Sequence, residues 1–140
     1  MIKIPFDELG KMNFQQTVQK LANSQLKTPK AFAIKHLTKE VREGFFKMRE
    51  MYMKEIQETY AVDGKDSPPA EGTKSMELKL PFNCKPGMEG DAKGALDAFG
   101  KRELVINRRK LEGALLFECN EWSPRELESL EFLVEEPSVS

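Results

Sequence analysis

At 140 residues, with 32% charged and 39% hydrophobic side chains, the chain has the make-up of one helix-rich domain, large enough to bury a modest core without disulfides or a metal. A formal net charge of −1 argues against nonspecific nucleic-acid binding by bulk attraction, and two cysteines, Cys84 and Cys119, are too few for a disulfide scaffold and lack metal-ligand spacing. The sign is uneven: residues 1–61 hold 11 Lys and Arg against 7 Asp and Glu, and residues 62–140 hold 11 against 16, as expected of halves that fold together and neutralise each other.

Ile2, Ile4 and Phe6 alternate with other residues in the manner of a short half-buried strand, which Pro5 pushes to a sheet edge. Phe14, Val18, Leu21 and Ala22 then mark a helix from about Lys11 to Ser24. The turn from Asn23 to Lys27 leads into the most informative element, an amphipathic helix from about Pro29 to Tyr60. Thr28 is suited to cap its first turn, and Pro29 to occupy the first helical position. Its apolar positions, Ile34, Leu37, Val41, Phe45, Met48, Tyr52 and Ile56, step by three or four without a breaker. Such a helix is roughly 48 Å long. Two helices joined by a short loop pack antiparallel, and the first is too short to cover the whole stripe. Phe45, Met48, Tyr52 and Ile56 are therefore expected to bind a protein partner or a second copy. The opposing expectation is that later elements fold back and bury them. Gly44, unfavourable by about 1 kcal/mol inside a helix, points to close approach of another element.

Val62 to Ser75 reads as a flexible linker, with Asp63-Gly64 as a turn and Ser67-Pro68-Pro69-Ala70-Glu71-Gly72 favouring neither helix nor strand. Met76, Leu78, Leu80 and Phe82 alternate as a second strand. Asp91 is placed to cap a short helix that Gly100 stops, Leu104-Val105-Ile106 reads as a third strand, and Ala114 to Phe117 as a strand or a buried turn. The last helix is the best specified. Ser123, Pro124 and Glu126 occupy the N-cap, first and third positions of a capping box, Trp122 and Leu127 sit at hydrophobic-staple positions, and Pro137 ends the run. Leu127, Leu130, Leu133 and Val134 form its buried face, with Trp122, the sole tryptophan, expected as a core anchor and, in the alternative, as a binding hot spot.

Candidate chemistry is sparse. His36, the sole histidine, has only Glu40 nearby on its helix to orient it, so a structural role is expected. Cys119 reads as a small buried hydrophobe beside Phe117. Nothing local pairs Cys84 with His36 as a nucleophile, and the glycines from 87 to 100 match no phosphate loop. The dense basic residues are Lys101, Arg102, Arg108, Arg109 and Lys110. They could touch phosphates, but no aromatic residues are interleaved to stack bases, so nucleic acid is not the expected ligand. Neither a cofactor nor a metal is expected. The Met1-Ile2-Lys3-Ile4-Pro5 start lacks the apolar region of a signal peptide, and no apolar run approaches membrane-spanning length. A reduced cytoplasmic setting without membrane contact is the expectation.

The segment from Leu115 to Pro137 resembles the ending of small uncharacterised bacteriophage proteins. In these a Ser-Pro or Ser-Ala pair is followed by Glu-Leu, then Leu-Glu, an apolar pair and Glu-Glu; here the run is Trp122-Ser123-Pro124-Arg125-Glu126-Leu127-Glu128-Ser129-Leu130-Glu131-Phe132-Leu133-Val134-Glu135-Glu136-Pro137. The order of elements is similar too, while the Pro-rich insertion and the segment from Pro86 to Gly100 depart from the pattern. The resemblance implies phage origin, residence in the host cytoplasm during infection or in the virion, and no catalytic residues. The expected fold is a single α+β domain over residues 1–140. It comprises a helical hairpin with one long amphipathic helix, packed on a small sheet of residues 1–6, 76–82 and 103–107, and a capped C-terminal helix. The expected function is that of a non-enzymatic phage protein acting by protein–protein contact, as a virion component or assembly accessory. The alternative is a host-directed regulator that binds a host enzyme or nucleic-acid complex through the basic edge.

Overall fold

A computed structural model describes residues 1–136 of the chain. In chain order its elements are β1 (Ile2–Pro5), α1 (Phe6–Leu9), α2 (Met12–Ala22), α3 (Thr28–Tyr52), a π-helical turn (Met53–Gln57), α4 (Glu58–Tyr60), α5 (Lys74–Glu77), α6 (Glu89–Gly100), β2 (Glu103–Ile106), a 3₁₀ turn (Gly113–Phe117) and α7 (Pro124–Leu130). The fold class is α+β, with one long helix and a small antiparallel sheet. The chain divides into two compact units, one of Met1–Phe45 with the chain from Glu103 onward, the other of Phe46–Arg102.

In the first unit β1 and β2 pair antiparallel, Ile2 opposite Ile106 and Ile4 opposite Leu104. Because side chains alternate across a strand, this register puts Ile2, Ile4 and Ile106 in the core and leaves Lys3 and Val105 outside. Leu104 lies against α3 at Gly44, where an added methyl would clash with Leu104 Cδ1 and lie 2.7 Å from Cδ2. The glycine thus marks where the sheet meets the helix. β1 runs straight into α1, a single turn that follows Pro5 and buries Leu9.

α2 buries Phe14, Thr17 and Leu21 on one face, and the Thr17 hydroxyl is satisfied by donating to Asn13 O at 2.8 Å. That face packs on α7. Phe14 meets Phe132 edge-on at 6.2 Å, and Asn13 Nδ2 donates to Ser129 Oγ at 3.2 Å and Arg125 O at 3.3 Å. The capping box of α7 is formed in full: Glu126 N donates to Ser123 Oγ at 3.2 Å and Ser123 N to Glu126 Oε1 at 2.9 Å. α7 ends at Leu130, earlier than the periodicity implies. Leu133 and Val134 are buried as expected but lie beyond the helix, where Val134 bridges Leu111 in parallel. Leu111 N donates to Leu133 O and Glu135 N to Leu111 O, each at 2.8 Å, so partners outside the helix take these backbone groups. The stop expected at Pro137 lies outside the described residues.

α3 starts one residue before the expected position. Lys30 N and Ala31 N both donate to Lys27 O, so Lys27 rather than Thr28 precedes the first turn, and Pro29 is the second helical residue. The expected stripe is otherwise found: Ile34, Leu37, Val41, Met48, Tyr52 and Ile56 are buried and Phe45 is half-buried. The sequence shows no sign of the π-helical turn. A wider turn accommodates one extra residue, and here both Ile56 and Gln57 are buried.

In the second unit Ala61 bridges Cys84, supported by Val62 N to Asn83 O at 2.9 Å and Lys85 N to Tyr60 O at 2.8 Å. Residues 62–73 contain neither helix nor strand, and they are fixed at several points. Asp63 accepts from Lys65 N and the Ser67 hydroxyl, with Gly64 at φ +69, and Ala70 N donates to Asn83 Oδ1 at 2.9 Å. The expected strand from Met76 to Phe82 does not form. Its first part is α5, capped by Thr73, and the chain then reverses: Leu80 N donates to Ser75 O and Lys79 N to Met76 O, with Lys79 left-handed at φ 56. This is the glycine-type helix ending with a lysine in the glycine position. The sheet accordingly has two strands rather than three. α6 begins at Glu89, ahead of the expected Asp91 cap, and buries Ala92 and Phe99.

Candidate interaction surfaces

Of the four helix residues expected to bind a partner, Met48, Tyr52 and Ile56 are buried in the chain itself, and they do not form an open docking face. For Tyr52 and Ile56 the reason is local to the second unit. α6 packs beside the π-helical turn, Phe99 meets Tyr52 edge-on at 5.8 Å, and the Tyr52 hydroxyl donates to Asp66 at 3.0 Å. Burial and the Asp66 carboxylate raise the Tyr52 pKa far above that of an ordinary phenol. Phe45, in the first unit, stacks on Phe6 with ring centres 6.0 Å apart. Exposed apolar side chains on this stretch are instead Phe46, Met51 and Met53.

The five basic residues are divided. Arg102 makes a two-pronged contact with Glu55 at 2.6 and 3.0 Å and lies over the Phe99 ring at 4.6 Å. The pairing lowers the Glu55 pKa through the Arg102 hydrogen bond and raises that of Arg102 in turn. Arg108 pairs with Glu40 at 2.7 Å, and Lys110 Nζ donates to Glu131 O at 2.6 Å. Lys101 and Arg109 are exposed. Two of the three arginines thus already hold carboxylates.

The candidate nucleophiles are in separate settings. His36 is exposed and stacks on Phe32 at 6.3 Å. Cys84 is buried, and burial followed by the charge of Glu89 raises its thiol pKa, which disfavours the reactive thiolate. Cys119 donates to Leu115 O at 3.3 Å. Among the described residues no group of three or more His, Cys, Asp or Glu could hold a metal ion, and no helix is long and apolar enough to cross a membrane.

A groove that the sequence did not reveal lies in the first unit, with a volume of about 570 Å³. Its apolar lining comes from Leu116, Cys119, Trp122, Leu127, Leu130 and Val134, and its carboxylates from Glu121, Glu131, Glu135 and Glu136. The structure corrects two assignments here. Trp122 is only half-buried and Leu127 is 40% exposed, so the staple pair lines an open concavity instead of filling the core. Lys20 holds this corner together: its ammonium lies 4.7 Å from the Trp122 ring centre and donates to Glu121 O at 2.7 Å and Glu126 Oε1 at 3.1 Å. The Ser123 backbone N–H, and then Lys20, lower the Glu126 pKa. Trp122 Nε1 is buried with no acceptor among the described residues. A Trp at a staple position beside Cys119 and followed by Glu-rich sequence was the available signal, but sequence alone does not say which side of the pair faces water.

A second concavity of about 500 Å³, in the other unit, is lined by Asp63, Thr73, Lys74, Ser75, Cys84 and Glu89 among others. Ser75 Oγ there accepts from Cys84 N at 2.9 Å, which ties it into the backbone. No known family model matches this chain, and comparison with curated proteins and with solved structures finds no match.

Proposed function

We propose that the chain is a non-enzymatic phage protein that acts by protein–protein contact, as a virion component or assembly accessory in the host cytoplasm. The observation that carries this reading is the groove at the sole tryptophan, an open apolar concavity on a unit whose own core is already filled by other residues. Trp is the residue type most enriched where contacts dominate binding energy. The resemblance of the C-terminal segment to phage proteins supplies the setting. The regulator alternative depends on the basic edge, and the Arg102–Glu55 and Arg108–Glu40 pairs leave less free charge for it. Quantitative mass spectrometry of purified particles tests the reading. Recovery in fixed proportion to the capsid or tail proteins supports a virion component. Absence from particles, together with normal particle yield when the gene is deleted, overturns both forms of the proposal.

A further inference from the structure

The Trp122 groove also carries information about the chemistry of its occupant. Its walls are mostly apolar, and the charged side chains that line it are all glutamates. The nearby Lys20 is taken up by Glu126 and the Trp122 ring and Lys110 by Glu131 O, while the carboxylates of Glu121, Glu131, Glu135 and Glu136 form no ion pair among the described residues. Leu127, at 40% exposure, is an apolar wall left in water. Burying it favours association, and the surrounding carboxylates select against acidic partners. An anionic lipid surface or a nucleic-acid backbone would be repelled by the same four charges.

We propose that this groove docks a cationic segment of another protein, an apolar anchor side chain flanked by Lys or Arg. The inference rests on the protein-contact reading and narrows it to a class of partner. The apolar anchor occupies the space between Trp122 and Leu127, and the flanking cations meet Glu131, Glu135 and Glu136. Steering by these charges makes capture fast and sensitive to salt.

The sole tryptophan reports on the groove directly. The full chain is titrated with a short capped peptide of leucine and lysine, with its leucine–glutamate counterpart and with a leucine-free lysine peptide, while Trp122 fluorescence is followed. The expected result is saturable binding of the leucine–lysine peptide alone. An exposed charge pair is worth a factor of roughly two to five, so the combined variant Glu131→Gln, Glu135→Gln, Glu136→Gln should bind at least about tenfold more weakly. Leu127→Ser should also weaken binding, and since that side chain is exposed and these carboxylates face water, circular dichroism should show all variants folded. Equal binding of the acidic peptide, equal binding of the leucine-free peptide, or no binding of the leucine–lysine peptide overturns the proposal. Concentration-dependent sedimentation abolished by Leu127→Ser would assign the groove to a second copy, and peptide binding that appears only after removal of residues 137–140 would assign it to the chain's own end; either result also overturns it. Each of these failures leaves the particle experiment unaffected, so the narrower and broader readings fail separately.

Discussion

Substituting Gly44 should change sign with its surroundings, and that reversal tests the packing of β2 on α3. In the middle of a helix, Gly→Ala is favourable by about 1 kcal/mol. Here the new methyl would clash with Leu104 Cδ1 and lie 2.7 Å from Cδ2, so the leucine must move. Overpacking of this kind costs ~1–3 kcal/mol, and a flexible side-chain end keeps it toward the lower part of that range. The net expectation for Gly44→Ala is thus a loss of about 0–2 kcal/mol. Leu104 is half-buried, so Leu104→Ala alone should cost ~2 kcal/mol, at the low end for such truncations. In that background the obstruction is gone, and adding Gly44→Ala should stabilise by about 1 kcal/mol. Urea unfolding followed by Trp122 fluorescence is the appropriate assay, because Trp122 belongs to the same unit as both positions. A gain of ~1 kcal/mol in both backgrounds would refute the close approach of Leu104.

The remaining expectations concern the capped ends and the Tyr52 contact. Lys79→Gly should stabilise the second unit by ~0.5–1 kcal/mol by removing left-handed strain at φ 56, seen as slower amide exchange at Leu80; faster exchange would count against it. Ser123→Ala should cost ~1 kcal/mol in urea unfolding. Glu126 has a pKa lowered in the folded state, so its stabilisation is present above the ordinary value of 4.5 and is lost as pH falls through the lowered one. Glu126→Gln should flatten the acid limb of stability against pH, and an unchanged limb would dismiss the cap as its source. Tyr52→Phe should cost about 1 kcal/mol by removing the hydrogen bond to Asp66, and should speed amide exchange in residues 62–73; no change in either would show that the contact does not hold that segment.

Legibility followed the range of the interactions. The stripe from Ile34 to Ile56 could be read because one period of 3.6 governs it throughout, and the Ser123–Glu126 box because all its atoms lie within four residues. Gly44 could be read as a close approach, but its neighbour, Leu104, could not be named. The segment Met76–Phe82 was misread because two apolar pairs spaced by two fit a strand as well as a helical turn ended by a left-handed residue, and only Leu80 and Phe82 are in fact buried. Leu133 and Val134 keep helical spacing after the helix has ended, since Leu111, some twenty residues earlier, bonds to Leu133 O and Glu135 N on either side of Val134. The groove was hidden for the same reason. Whether Trp122 and Leu127 close on the core or open to water depends on Leu116, Cys119 and Val134, and no local pattern encodes that choice.

The pairing of Ile2 with Ile106 sets an order on synthesis. β1 is made well before its partner, which follows roughly a hundred residues later, a delay of about 5–20 s at typical translation rates. During that interval Ile2 and Ile4 have no strand to meet, and Phe14 on α2 has no Phe132 to pack against. Phe46–Arg102, by contrast, is continuous and is finished before the first unit can close. Residues 46–102 are therefore complete before residues 1–45 meet the partners that close their unit. Proteolysis of chains arrested at successive lengths should find residues 46–102 protected while residues 1–45 are still being cut.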